Sequence, residues 1–268
     1  TNKVMKFSVI KKYSVLFIFV FSFFSHSSFA KESHVELLKP KWTFDGFFGK
    51  FDRASLQRGY QVYTEVCASC HSMSLLSYRN LGEPGGPEFT EAEVKAIASK
   101  IEVQDGPNSE GEMFVRPGKP SDRFKKPYPN ENASRTANGG AYPPDMSVLV
   151  KARPGESNYI YSVLMGYEEK VPEHIKLEEG VYYNKYMSGN KIRMSKPLSE
   201  GTVSYTDGTK SSQEQMAKDV VHFLTWAAEP HLEARKKIGF KAVIYLLILT
   251  ILVYFIKKKI WLRVEPKV

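Results

Sequence analysis

Cys67 and Cys70 are the only cysteines in a chain of 268 residues, and His71 follows the second of them directly. No other feature restricts the fold and chemistry of the chain as much. Cys67-Ala68-Ser69-Cys70-His71 is the C-x-x-C-H pattern of haem c attachment. One helical turn brings the two thiols within reach of the two vinyl groups of a porphyrin. The imidazole that follows is then directed at the iron from the same side. Other uses of two cysteines fit less well. Zinc requires further Cys or His ligands, a thioredoxin-like pair follows a strand, and a disulfide between Cys67 and Cys70 would close a very small, strained loop. The residues therefore predict one covalently attached haem c, with His71 as a ligand of its iron.

The formal charge of +9 would suit a nucleic-acid-binding protein until the charges are located. Residues 1–30 hold Lys3, Lys6, Lys11 and Lys12 with no acid, and 238–268 hold six Lys or Arg against one Glu. The stretch between carries 28 basic and 28 acidic residues. No nucleic-acid partner is therefore expected, and the basic ends report membrane topology instead. At the first end the four lysines precede a short apolar run over 13–24, and Ser28-Phe29-Ala30 supplies small residues where a cleavage site needs them. Residues 1–30 are expected to be a cleavable signal peptide. At the second end, 238–256 is apolar apart from Gly239, Lys241, Tyr245, Thr250 and Tyr254. As a helix it would be roughly 28 Å long, close to the thickness of a bilayer's hydrocarbon core. Lys257-Lys258-Lys259 and Arg263 follow at once, with Trp261 at interfacial depth. The positive-inside rule puts the tail 257–268 in the cytoplasm, or on the equivalent side of an organelle, and the 31–237 domain across the membrane. The expectation is a single-pass protein of the inner (cell) membrane whose haem domain is periplasmic.

Within the exported part, 31–52 is an arm containing Pro40, Trp42, Phe44, Phe47 and Phe48, without a clear period. Residues 55–66 read as a helix running into the cysteines, with Leu56, Tyr60 and Tyr63 on one face. Thr90 before Glu91-Ala92-Glu93 opens a capped helix to about 101. The stretch 105–144, rich in Pro, Gly and Asn, is expected to be a long irregular excursion that covers something. A short helix over 158–167 follows, with Ile160, Val163 and Leu164 on one face. Loops and short hairpins over 177–208 include the turn signal Asp207-Gly208. Residues 211–229 form the strongest soluble helix. Ser212 and Gln215 make a capping box, Val220, Phe223, Leu224 and Ala227 line a face, and Pro230 ends the helix.

A methionine opposite His71 is the pairing that raises the potential of cytochromes c. Spacing leaves that methionine open. Met73 is too close in sequence to cross to the other face of a haem. Met165 and Met216 sit in helix-like stretches, where methionine more often fills a core. Met113 is a further candidate, and Met194 lies in a loop stiffened by Pro197, with Met187 and Met146 as its rivals. His174, His222 and His231 read as surface or part-buried histidines.

Taken together the motifs resemble those of the cytochrome c1 family, bacterial type, the haem c subunits of quinol–cytochrome c reductase (cytochrome bc1) complexes. The likeness spans nearly all of 31–268. It rests on Arg58-Gly59-Tyr60-Gln61-Val62-Tyr63 before C-x-x-C-H-S-M and on Val103-Gln104-Asp105-Gly106-Pro107-Asn108. It continues through Gly111-Glu112-Met113-Phe114, Arg116-Pro117-Gly118-Lys119, Asn138-Gly139-Gly140-Ala141 and Pro143-Pro144-Asp145. Tyr159 to Gly166-Tyr167, the run from Ala217-Lys218-Asp219-Val220 to Trp226-Ala227-Ala228-Glu229-Pro230, and one membrane helix after Arg235-Lys236-Lys237 complete it.

The resemblance implies a mainly α, class I cytochrome c-like haem domain with long loop insertions, plus one C-terminal transmembrane helix. It places the sixth iron ligand on Met194, although the family commonly has two prolines soon after that Met and here Lys196 precedes Pro197 alone. It places Arg153 near a haem propionate, where an Arg is a good partner, Tyr159 near the haem, and Pro143 and Pro144 in the haem wall. It implies electron transfer from an iron–sulfur protein to a soluble cytochrome c, in a dimeric complex with cytochrome b and with no catalytic site of the chain's own. Glu102, Asp105, Glu110 and Glu112 would then steer a basic cytochrome by long-range attraction. The competing readings are a peroxidase-like haem enzyme with an open distal position, another membrane-tethered c-type cytochrome, and a haem sensor.

Overall fold

The computed structural model describes residues 35–263. The expected signal peptide, 1–30, lies outside the described residues, as does the expected basic tail from 264 onward. Six α-helices are described: α1 Arg53–Glu65, α2 Glu91–Ser99, α3 Glu131–Ala137, α4 Glu156–Met165, α5 Gln213–Ala228 and α6 Leu232–Trp261. Two small antiparallel sheets accompany them, pairing β1 Glu102–Asp105 with β2 Phe114–Pro117 and β3 Tyr182–Tyr183 with β4 Lys191–Ile192. The class is mainly α, as expected.

α1 begins just ahead of its expected start because Asp52 caps it. The Asp52 carboxylate accepts the Ser55 N–H at 3.0 Å and the Ser55 hydroxyl at 2.6 Å, pairing a helix-end donor that has no intrahelical partner. Leu56, Gly59, Val62 and Tyr63 are buried, and Gly59 marks the closest approach of α1 to α5. A Cβ at position 59 would sit 2.1 Å from the Asp219 carbonyl oxygen and 2.7 Å from Phe223 Cβ. Beside that contact, Arg58 donates to the fully buried Asp219 carboxylate at 2.8 and 3.1 Å, and Gln215 donates to both of its oxygens at 3.1 Å. This is why the capping box expected on α5 is half made. Ser212 Oγ accepts the Gln215 N–H at 3.2 Å, but the Gln215 side chain is directed at Asp219.

α5 is the centre of the core. One apolar face was expected, yet every residue from 219 to 227 is buried. Three segments surround the helix. α1 covers one side, and α4 another through Ser157, whose hydroxyl meets that of Thr225 at 2.9 Å. The arm covers the third. Its Trp42 and Phe44 rings stack at 5.4 Å and meet the His222 ring at 5.2 and 5.1 Å.

Replacing Gly59 by Ala weighs two effects of opposite sign. Alanine favours helix over glycine by about 1 kcal/mol. The added methyl cannot be seated without moving the α5 backbone, and overpacking of this kind costs about 1–3 kcal/mol. The clash wins. The Gly59→Ala variant is expected to melt several degrees below the parent, read as loss of helical circular dichroism on heating the full chain.

The stretch 105–144 is less irregular than expected, since it holds β2 and α3 and closes a hairpin. The Asn108 side-chain oxygen accepts the N–H groups of Glu110 and Glu112, both at 2.9 Å, and Asn108 N–H donates to the Glu112 carbonyl at 2.9 Å. Register runs from Glu102 opposite Pro117 to Asp105 opposite Phe114. β1 alternates exposed and half-buried residues, but over four positions the pattern is too short to read from sequence.

α5 stops at Ala228, ahead of Pro230, and α6 then runs unbroken for 30 residues, roughly 45 Å. Its apolar part has a mean hydropathy of 2.3, and none of it is buried against the rest of the chain. The helix starts earlier than 238 because its first turns dock on the domain. Glu233 receives Arg53 at 2.7 and 3.0 Å and the Phe51 N–H at 2.9 Å. The charged collar is therefore part of the helix and fastens it.

Candidate haem site

α1 delivers the motif directly. After Val66 the chain tightens into a 3-10 turn, Cys67–Ser69, with Cys70 N–H and His71 N–H both donating to the Cys67 carbonyl, at 3.1 and 2.9 Å. Both thiols are free and half-buried. Burial, with Cys70 beside it, pushes the Cys67 thiol up to about 12. Burial also lowers His71 below its ordinary value, against the opposing influence of the Pro144 hydrogen bond and the Asp145 charge. A neutral imidazole is the form that iron ligation requires.

The decisive geometry is at His71 Nδ1, which lies 2.9 Å from the Pro144 carbonyl oxygen. A carbonyl can only accept, so Nδ1 carries the proton and Nε2 presents its lone pair outward. A histidine that gives one ring N–H to a backbone carbonyl is oriented and made more basic for a metal on the other nitrogen. Among the described residues no three His, Cys, Asp or Glu side chains come together as a metal site. The donor set of two thiols in one turn and one imidazole with Nε2 free fits a haem attached through the protein chain.

Pro144 is itself held. Asp145 accepts the Ser72 hydroxyl at 2.8 Å and the Ser74 N–H at 2.9 Å on one carboxylate oxygen, and the Ser147 N–H at 2.9 Å on the other. Met146 N–H donates to the Ser72 carbonyl at 2.8 Å, and Leu75 N–H to the Ser147 hydroxyl at 3.0 Å. Burial alone would raise the Asp145 carboxyl, but hydrogen bonds from Ser147 and Ser74 hold it well below the usual carboxylate range. The residues just after His71 are thus stapled to 144–147. Sequence reasoning passed over Asp145 and its serines. The signal was present as an acid two residues before a serine, the Asx turn that Asp145 makes with Ser147 N–H.

The methionines separate. Met73 and Met216 are fully buried in the core, Met146 is nearly so, and Met113 is exposed on the hairpin. Met187 Sδ accepts the Tyr159 hydroxyl at 3.3 Å. Met194 is half-buried, and among the described residues no hydrogen bond is made to its sulfur. Its loop is fixed on both sides. Tyr167 hydroxyl donates to the Met194 carbonyl at 2.9 Å, and Arg193 donates to the Gly139 carbonyl at 3.2 Å. The segment 139–144 is therefore tied at one end to the neighbour of Met194 and at the other to His71.

Arg153 is half-buried and bonds the Ala152 carbonyl at 3.0 Å, with no carboxylate at salt-bridge distance among the described residues. Tyr159 lies with its hydroxyl on Met187, so the structure pairs it with the rival sulfur and not with Met194. His222 has both ring nitrogens engaged, Nδ1 with the Lys218 carbonyl at 3.0 Å and Nε2 with the Thr43 hydroxyl at 3.3 Å. His174 and His231 are exposed. Of the four acids expected to face a partner, Asp105 is paired with Arg116, which also holds Asp122 at 2.7 Å. Glu102, Glu110 and Glu112 remain exposed, next to the exposed side chains of Met113, Phe114 and Val115.

Residues 42–264 match the Cytochrome C1 family, which covers most of the chain. The chain belongs to the cytochrome c1 family. It is similar to a cytochrome b/c1 of Bradyrhizobium diazoefficiens, 52% identical over 239 residues, which cover 82% of this chain and 35% of that protein. The chain thus spans about a third of that longer relative. It is 43% identical to a cytochrome c1 of Rhodospirillum rubrum, over 88% of this chain and 91% of that one. The cytochrome b-c1 complex catalytic subunit of Candida albicans is 46% identical, over 84% of this chain and 77% of its own length. As a cytochrome c1 family member, the chain is a membrane-anchored haem c protein of electron transport. Its mainly helical fold with one long C-terminal helix is the architecture the resemblance implied.

Proposed function

We propose that the chain is the haem c subunit of a cytochrome bc1 complex and relays single electrons from an iron–sulfur protein to a soluble cytochrome c. The observation that carries the site is the 2.9 Å contact of His71 Nδ1 with the Pro144 carbonyl oxygen, which assigns the proton to Nδ1 and leaves Nε2 for iron. Cys67 and Cys70 would form the thioether bonds and Met194 would take the opposite side of the iron. Arg153, which has no carboxylate at salt-bridge distance among the described residues, would meet a propionate, and Tyr159 would line the pocket through its contact with Met187. When bound, the haem supplies a one-electron couple. The chain's own residues then set its potential and hold its ligands still, so little reorganises as charge comes and goes.

The partners follow from the same reading. Cytochrome b and the iron–sulfur protein would share the membrane with α6, in a complex that is dimeric. The hairpin β1 and β2, with Glu102, Glu110 and Glu112 around Met113, Phe114 and Val115, offers an acidic rim and an apolar centre to a basic soluble cytochrome. The domain 31–237 would be periplasmic and would follow a cleaved signal over 1–30. The span 238–256 would cross the cell membrane, and the tail 257–268 would be cytoplasmic.

Purification of the full chain from its membranes tests this reading. Cytochrome b and the iron–sulfur protein are expected in the preparation. The oxidised chain is expected to show the weak band at the red end of the visible spectrum that marks Met ligation, and the reduced chain to bind no carbon monoxide. Isolation without those two subunits, or ready carbon monoxide binding, would count for another tethered cytochrome or an open-site haem enzyme.

A further inference from the structure

One apolar cluster belongs neither to the core nor to the haem site. Phe47 and Phe48 are 53% and 76% exposed, between the buried Phe44 and Phe51. Their rings meet at 5.1 Å, and each meets the ring of Phe240 on α6, at 5.9 and 5.8 Å. Phe240 stands near the start of the apolar part of α6, where it too is exposed. The loop does not hang free. The Lys236 ammonium of α6 donates to the carbonyls of Phe44 and Gly46, each at 2.6 Å, and of Gly49 at 3.3 Å. Gly46 turns the chain at φ +71°, and Lys50 N–H closes the turn on the Thr43 carbonyl at 3.0 Å. Glu233 holds the far side through Phe51 and Arg53.

Two exposed phenylalanines fixed in this way form a small apolar projection aligned with the membrane helix. The exposed cations nearby in the chain are Lys50, just after the loop, and Lys237 and Lys241 on the helix, three against the one exposed acid of the loop, Asp45. Apolar rings at interfacial depth with cations at headgroup level are the pattern of a segment lying in the plane of a bilayer surface. We propose that the loop 44–49 is a second membrane contact, with Phe47 and Phe48 set in the lipid interface beside α6 and the lysines on anionic headgroups. Lipid is favoured over a protein partner because the cluster continues the apolar surface of α6 itself, through Phe240. The two attachments together fix the tilt of the domain over the membrane, where a single tether would let it swing. The proposal rests on the reading of α6 as a membrane span.

Site-directed spin labelling tests it, since a cysteine introduced into the haem-loaded chain is its only free thiol. Phe48→Cys and, separately, Phe47→Cys would be labelled with a nitroxide in the full complex reconstituted into vesicles containing anionic phospholipid. Val115→Cys on the hairpin serves as the aqueous reference and Leu249→Cys in α6 as the lipid reference. The label at 48 or 47 is expected to collide with oxygen several-fold more often than with a water-soluble nickel chelate, as at 249 and opposite to 115. Collision with nickel at both loop positions, with 249 still lipid-exposed, overturns the wedge alone. Shielding from both agents would assign the cluster to a neighbouring subunit and also overturns it. An aqueous signal at 249 would instead overturn the membrane reading of α6.

Discussion

A Met194→Leu variant is expected to lose the weak red-end band of the oxidised protein, to bind carbon monoxide when reduced, and to have a much lower midpoint potential. Leucine nearly matches methionine in volume, so packing changes by less than about 1.5 kcal/mol, and attachment through Cys67 and Cys70 is untouched. The change is therefore confined to ligation. A soft thioether favours the reduced iron, and its loss lets water or carbon monoxide take the position. A fall on the order of 0.1 V or more would be a modest part of the about 0.8 V over which axial ligands set haem potentials. Met187→Leu is the discriminating companion. It removes the sulfur that Tyr159 contacts, and is expected to leave the band in place. If the band instead survives in Met194→Leu and vanishes in Met187→Leu, the ligand is Met187, and the fixing of the 194 loop by Tyr167 and Arg193 serves another purpose.

What could be read from the sequence follows the range of the interactions involved. Thr90 and Ser212 announce their helices because a cap is a contact between residues a few positions apart, and Asp52, a contact of the same range, was overlooked at α1. The Thr90 box is complete, its hydroxyl accepting the Glu93 N–H at 3.3 Å and the Glu93 carboxylate accepting the Thr90 N–H at 2.8 Å. The Ser212 box is not, because Gln215 answers to Asp219, and Asp219 to Arg58, 161 positions away in the chain. No local pattern contains that competition. The same limit explains α5, whose burial on every side depends on an arm more than a hundred residues upstream. The attachment motif was legible because its chemistry is packed into five consecutive residues. The proton on His71 was not, since Pro144, 73 positions further along, decides it. Met194 could be singled out only through resemblance, and the ties that hold its loop, from Arg193 to Gly139 and from Tyr167 to the Met194 carbonyl, span 54 and 27 positions, so no local pattern contains them.

Asp145→Ala is expected to lower stability and to raise the midpoint potential, the opposite electronic sign from Met194→Leu. Three donors lose their acceptor, the Ser72 hydroxyl and the N–H groups of Ser74 and Ser147. With hydrogen bonds to charged groups contributing about 1.5–3 kcal/mol each, and water recovering part of the loss at this half-buried site, the variant should be destabilised by about 3 kcal/mol or more. The consequence for the site runs through Pro144. Its carbonyl accepts the His71 proton at 2.9 Å, and it keeps that position because the next residue is stapled to Ser72 and Ser74. Once loosened, Pro144 no longer polarises the imidazole, which becomes a poorer donor to oxidised iron, so the reduced state gains. Removal of the Asp145 charge pushes in the same direction, and Ser72→Ala separates the two causes because it breaks one arm of the staple without changing charge. Ser72→Ala is expected to raise the potential by less, and to move the His71 Nδ1–H proton resonance of the reduced protein in the same direction as Asp145→Ala does. Asp145→Asn should fall between parent and Asp145→Ala, since its one carbonyl oxygen can still receive Ser72 and Ser74 while its amide faces the Ser147 N–H. If all three variants lose stability yet keep the parent's potential and Nδ1–H resonance, Asp145 holds the fold alone, and the orientation of His71 must come from the turn that carries it.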